Sequence, residues 1–240
     1  MKIVAIFLSL LLLAGFYDCK KTSQNSGEPE WKLIFQDDFS ETSVDRNHWG
    51  LYDSPGNSNF GLRRPDAINV SDGNLVITAQ MLNGNLVSGG MSHNIYQTYG
   101  KYEFRVRTEN DPSEATSGVI LTWPKNYTGP IDGENDMYET GTEIGRPFFH
   151  TFIHYGYTNN TQYSTTHAVD ATQWHTVGME WTSKSIKIYR DNALVWTITD
   201  EKAIPDVPHC LCVQLDSWKS TMTGVVRMYV DWVKVYSIAE

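Results

Sequence analysis

The sequence predicts an all-β sandwich or barrel, on three observations. Apolar and polar residues alternate with a period of two in run after run. Gly, Asn, Asp and Pro break these runs at short intervals. Extended helical patterns are missing after the N-terminal stretch.

The elements follow in chain order. Residues 74–80 (NLVITAQ) and 101–108 (KYEFRVRT) alternate cleanly, and SGVILTWP, ending at Pro124, is strand-like. A turn at TGPIDG leads into a strand from Glu134, and FFHTFIHYG reads as the next. Residues 185–191 (SIKIYRD), 193–199 (ALVWTIT) and 226–238 (VRMYVDWVKVYSI) complete the series. The breaks fall at SDGN, LNGN, NDPS, RDNA and MTG, composed of the residues that tolerate turn geometry. Neither an internal repeat nor a second domain is visible.

The 240-residue chain divides into three parts. Residues 1–18 carry a Lys followed by an apolar run from Ile3 to Tyr17, short for a membrane span and placed where a signal peptide belongs. Cys19 follows the run directly, as in bacterial lipoproteins, where it would be lipidated and become the new N-terminus. Residues 19–30 are polar, with Gly and Pro, and read as a flexible tether. Residues 31–240 have globular composition and suffice for one domain with a large core. Export to the extracellular space or the cell envelope is expected, with membrane contact only through the Cys19 anchor.

The formal charge is −9, which argues against nucleic acid as a partner. Cys210 and Cys212 stand two apart, on one face of a strand, and are expected to be buried thiols. Cysteine–histidine pairs with zinc-ligand spacing are absent. The 8 Trp, 13 Tyr and 9 Phe exceed what a core alone explains and suit the stacking of flat ligands.

The chemistry concentrates in DGENDMYET, residues 132–140, with carboxylates at Asp132, Glu134, Asp136 and Glu139. Four readings compete. A solvated acidic loop conflicts with the flanking strands and with Met137 and Tyr138 inside the stretch. An EF-hand-like loop would take Asp132, Glu134, Asp136 and Glu143, but Met137 stands where the sharp turn needs Gly. Sugar or metal binding without turnover, as in sandwich lectins, is the third. The fourth is a row of catalytic carboxylates. On a strand, Glu134 and Asp136 share a face and Glu139 points away; one extra residue, a β-bulge, returns Glu139 to that face. Glycoside hydrolysis with retention then becomes available, given two carboxyls roughly 5–5.5 Å apart. Crowding serves that purpose: neighbouring anions keep a proton on one carboxyl while another stays ionised.

The motif ENDMYE, preceded by WPKNYTGPIDG, resembles glycoside hydrolase family 16, the laminarinase, lichenase and agarase family. The order of WKLIFQDDFS, RNHWG, VSDGNLVITAQ, SGGMSHNIYQTYGKYEFRVRT, FHTFIHYG, WHTVGMEWTSKSIKIYRDN and MYVDWVKVY extends the resemblance over residues 31–238. It implies a concanavalin A-like β-jelly-roll with a concave cleft. It implies a retaining endo-hydrolase of β-linked polysaccharide, β-1,3- or β-1,3(4)-glucan first, with β-galactan hydrolysis, transglycosylation or binding alone as alternatives. Glu134 would be the nucleophile, Asp136 the assisting carboxylate and Glu139 the acid/base. Trp123, His154 and Trp218 would contact sugar, and Asn57, Asn59 and Arg64 would line donor-side subsites. No organic cofactor is required; a structural calcium would draw on Asp38 and Asp231. A monomer is expected. Two positions depart from the pattern: Asn135, at a usually aliphatic inward site, which needs buried partners, and the segment GLRRPD.

Overall fold

The computed structural model describes residues 29–128, 130–158 and 161–239. The expected signal segment and Cys19 lie outside the described residues, as does most of the tether. Among the described residues, two large antiparallel-dominated sheets face one another, as the alternation predicts.

The site is built on the seven-stranded sheet. Across it the strands run Gln162–His167, Phe149–His154, Glu134–Glu139, Thr116–Pro124, His209–Ser217, Gly90–His93 and Trp49–Leu51. One face of this sheet meets the core; the other lines an open cleft. On Thr116–Pro124 the alternation sorts Ile120 into the core and Val119, Leu121 and Trp123 into the cleft. On His209–Ser217 it sends Leu211, Val213 and Leu215 inward and Cys212, Gln214 and Asp216 outward. Strands buried on both faces read as apolar runs without strict alternation.

The eleven-stranded sheet closes the core from the other side. Its Gly100–Thr108 strand buries Tyr102, Phe104 and Val106, and Asn74–Leu82 buries Leu75, Ile77 and Ala79. The long strand Val225–Ile238 buries Val226, Met228 and Val230, then Val233 and Val235. Its pairing register with Gly100–Thr108 shifts between Val230 and Trp232, so Asp231 is a surplus residue that switches the inward parity. Ala193–Ile198 is an edge strand, and its Leu194 is 52% exposed.

Cys210 and Cys212 are buried free thiols with sulfurs 3.9 Å apart. Asp231 pairs with Arg105 at 2.5 Å, and Asp38 is exposed, accepting from the Ser40 amide at 3.3 Å. Among the described residues no three His, Cys, Asp or Glu side chains gather as metal ligands.

Candidate active site

The Glu134–Glu139 strand carries the bulge that the chemistry requires. Against Thr116–Pro124, Asn135 pairs with Thr122 and Asp136 with Leu121, but Tyr138 pairs with Ile120 and Glu139 with Val119. Met137 is skipped in the pairing register on both sides, though its carbonyl accepts from Thr151 Oγ1 at 3.0 Å. On the other side, Asp136 opposes Phe152 and Glu139 opposes His150, two residues away rather than three. The surplus residue turns Met137 and Tyr138 both into the core and brings Glu139 round beside Glu134 and Asp136 on the cleft face.

Both ends of this strand are clamped. Gly133, at φ 79°, precedes it; a Cβ there would lie 2.4 Å from Pro205 Cγ, so only Gly admits this approach. The buried His209 ring accepts or donates at two points: its Nε2 donates to Asp132 O (2.9 Å), which leaves Nδ1 to accept from Thr122 Oγ1 (3.1 Å). Thr122 Oγ1 in turn accepts from the Asn135 amide at 2.9 Å. Asn135 is fully buried and finds its partner there, although its Oδ1 has none among the described residues. At the far end Thr140 exchanges hydrogen bonds with Gly118, its N–H donating to Gly118 O at 3.1 Å and its Oγ1 accepting from Gly118 N at 3.0 Å. Buried Arg146 ties the following loop down through Gly141 O and Thr116 Oγ1.

The cleft above the row has a volume of about 860 Å³. Trp123 lines it, stacked on Tyr127 at 4.8 Å between ring centroids. Trp218 and Asn57 line it too, and Trp218 is 44% exposed. His154 faces the cleft, and its Nε2 donates to Asp136 Oδ2 at 3.0 Å. Asn59 and Arg64 are the two expectations that the structure does not bring there. Asn59 sits exposed at φ 65° in a 3₁₀ turn, whose neighbours Asn57 and Ser58 reach the cleft instead. Arg64 turns outward and pairs with Asp53 at 2.9 Å, because consecutive residues of an extended segment point to opposite sides. Arg63 takes the inward place.

Arg63 and Asp216 are the functional-site residues that sequence reasoning missed. Arg63 reaches Asp216 Oδ1 with Nη2 (2.5 Å) and Nε (3.2 Å), and Gln214 Nε2 donates to Asp216 Oδ2 at 2.9 Å. Asp216 is 6% exposed. An acid inside the apolar run CLCVQLD was the available signal, since a buried carboxylate in a cleft marks a functional candidate.

The electrostatics are those of a proton-retaining cluster. Glu134 is pushed up to about 8, chiefly by burial and then by the charge of Asp136, with His154 pulling the other way. Glu139 is pushed up to about 7, again by burial first, then by Asp216. Burial also holds Asp136 well above the usual carboxylate range, with the charge of Glu139 next. The interaction between Glu134 and Asp136 raises the former and lowers the latter, so that one proton is held between the two carboxyls. The protons therefore belong to the set. Such a set can hold one carboxyl ionised as a nucleophile beside another that still donates.

Comparison with known proteins gives a consistent picture. The family model described as "Glycosyl hydrolases family 16" matches residues 58–234. A β-glucanase of Bacillus subtilis (strain 168) is 30% identical over 153 residues, which span 57% of this chain and 57% of that protein. The catalytic domain of an endo-1,3-β-glucanase (laminarinase) from Thermotoga petrophila RKU-1 superposes with a TM-score of 0.77 at 18% identity, covering 89% of this chain and 100% of that one. The laminarinase from Rhodothermus marinus superposes with a TM-score of 0.76 at 22% identity, covering 88% and 99%.

Proposed function

The chain belongs to glycosyl hydrolases family 16, and from that premise we propose that it is an exported, retaining endo-hydrolase of β-1,3- or β-1,3(4)-glucan. The observation that carries the reading is the surplus residue Met137, which sets Glu134 and Glu139 on one face of one strand. The relatives support the substrate class: a β-glucanase is similar in sequence, and laminarinases are among the structures of like fold.

Glu139 gives its proton to the glycosidic oxygen as the C–O bond breaks. The Glu134 carboxylate forms the new bond to the anomeric carbon, yielding a glycosyl-enzyme. Water then attacks that carbon, its proton passes to Glu139, and Glu134 leaves. The proton shared by Glu134 and Asp136 resolves an apparent conflict. Glu134 becomes the anion whenever that proton sits on Asp136, which then donates to it, so the pair stays singly protonated while its nucleophile is ready. His154, donating to Asp136, fixes that carboxyl's orientation. Trp123 and Trp218 offer faces for sugar rings, and Asn57 polar atoms for hydroxyls. The chemistry needs no organic cofactor. Export with a lipid anchor at Cys19 and a monomeric state belong to the same reading.

Incubation with laminarin, lichenan, agarose and carrageenan, read by new reducing ends, tests it. Release from laminarin or lichenan is expected. Release from agarose or carrageenan alone would move the substrate to galactans, and binding without release from any would leave a lectin. The Glu134→Gln variant is expected to lose at least about 10³-fold in kcat while still binding glucan; unchanged turnover would remove Glu134 from the nucleophile's role.

A further inference from the structure

Asp216 has no part in the chemistry as written, yet it lies in the cleft. It comes from the second strand over from Glu139: Glu139 pairs with Val119, Val119 with Gln214, and Asp216 stands two residues along. Both its oxygens are engaged, Oδ1 by Arg63 and Oδ2 by Gln214. A guanidinium gripping one oxygen through two nitrogens is a partner for a carboxylate rather than a neutral acid. Arg63 is the only Lys or Arg among the described residues lining the cleft. It comes from the short Leu62–Arg63 strand of the opposite sheet, so the pair also pins that strand across the cleft edge.

Building on the proposed role of Glu139, we infer that Asp216, locked in place by Arg63 and Gln214, is the positioning residue that keeps the proton on Glu139 until the leaving oxygen takes it. The surroundings of Glu139 single it out. On its own strand stand Glu134 and Asp136, whose charge is diluted by a shared proton. From Phe149–His154, His150 faces it in register and His154 is already donating to Asp136. From Thr116–Pro124 it meets uncharged Val119, Leu121 and Trp123. Glu143, in the loop that follows, is exposed and therefore screened by water. Tyr52 and Cys212 carry no charge at neutral pH. Asp216 is the buried, fixed carboxylate in this shell; Arg63, the cation paired with it, partly offsets its charge, so removing Asp216 also leaves Arg63 uncompensated and acts on Glu139 in the same direction. Consistently, Asp216 exerts the largest charge effect on Glu139 and raises it.

The test compares pH profiles of kcat/KM for the wild type, Asp216→Asn and Asp216→Glu. Two substrates are used: a glucan that the wild type hydrolyses, and an aryl β-glucoside of the same chain with a dinitrophenolate leaving group, which departs without protonation. With the glucan, the Asn variant should move the alkaline limb down by about one pH unit, the effect of one nearby charge, and the Glu variant should restore it. With the activated aryl glycoside the substitution should change kcat/KM less than about twofold, because no proton is delivered. A merely structural role would depress both substrates alike at every pH, and that result overturns the inference, as does an unmoved limb. Should Asp216→Asn fail to fold, Asp216→Ser carries the same expected shift. A wild type that turns over no glycan at all overturns the proposed function, and the inference with it; a working enzyme with an unmoved limb overturns the inference alone.

Discussion

Asn135 shows how a single amide is accommodated where an aliphatic side chain would be expected. It donates to Thr122 Oγ1, Thr122 donates to His209 Nδ1, and His209 donates to Asp132 O. The chain runs in one direction, so its middle member has the most to lose. Thr122→Val would strand a buried amide and a buried ring nitrogen; urea denaturation should show a loss of about 2–3 kcal/mol. Asn135→Leu should cost under about 1 kcal/mol, because it removes an oxygen that is orphaned already. A Thr122→Val loss below that of Asn135→Leu would contradict the directed chain. At this scale the sequence was partly legible. A polar residue at an inward position announced that a partner must exist, but the partner came from another strand, and pairings between strands are not written in local pattern. The same limit explains Arg63 and Arg64. The sequence pointed to Arg64, while only the register of a two-residue strand decides that Arg63 takes the inward place.

The strand Glu134–Glu139 makes its own demands as an element. Its function depends on parity: with six residues from Glu134 to Glu139, a bulge at Met137 is what sets both acids on one face. Deleting Met137 should leave Asp136 opposite Leu121, Tyr138 opposite Ile120 and Glu139 opposite Val119 in regular alternation, so that Glu139 stays on the cleft face without a bulge. Hydrolysis should therefore survive, with a lowered unfolding midpoint from the loss of the buried Met137 side chain. Met137→Leu keeps the count and the volume and should retain activity within about threefold. Complete loss of activity in a folded deletion variant would show that the bulge does more than set the face of Glu139. On the neighbouring strand, Gly118 has room for nothing larger: a Cβ would lie 2.4 Å from Thr108 Oγ1 and 3.3 Å from Met228 Sδ. Gly118→Ala should therefore destabilise by about 1–3 kcal/mol in the same assay. The Met137 bulge could be read from sequence because chemistry required Glu139 on the face of Glu134. The Asp231 bulge, with the identical physical cause, carries no such requirement. Its only trace is the change of parity from 226, 228 and 230 to 233 and 235. Ala193–Ile198 misleads in the opposite sense, since its apolar run ends on an exposed edge.

The molecule as a whole should be most stable in mildly acidic solution. His93, His167 and His209 are held down at about 4 by burial, against an ordinary 6.5. As pH falls below 6.5 the unfolded chain takes up protons that the native state refuses, so stability drops until about 4. Glu134 and Glu139 behave conversely, at about 8 and 7 against an ordinary 4.5. Above 4.5 the unfolded chain releases protons that the native state keeps, so stability declines as pH rises toward 8. The two slopes place the maximum between about 4.5 and 6.5. Urea midpoints measured from pH 3.5 to 9 would reveal it; a maximum above 7 would contradict the raised carboxyls. By the same reasoning Glu134→Gln, inactive by design, should unfold at higher urea than wild type at pH 7.5, with the difference vanishing by pH 4.5. The global architecture was the most legible level, because period-two alternation and turn composition suffice for a sandwich, whereas cleft depth depends on loops such as that carrying Asn57. A thiol at the cleft floor, finally, turns the molecule into its own occupancy gauge. Cys212 looks into the groove beside Leu121, whose other neighbour is Asp136. Any oligosaccharide lying over the acids must roof that sulfur. Alkylation by iodoacetamide, already slow at a thiol only 3% exposed, should slow further when a saccharide is added, even in an enzyme that can no longer cut it, and the degree of slowing would report affinity without a single bond being broken.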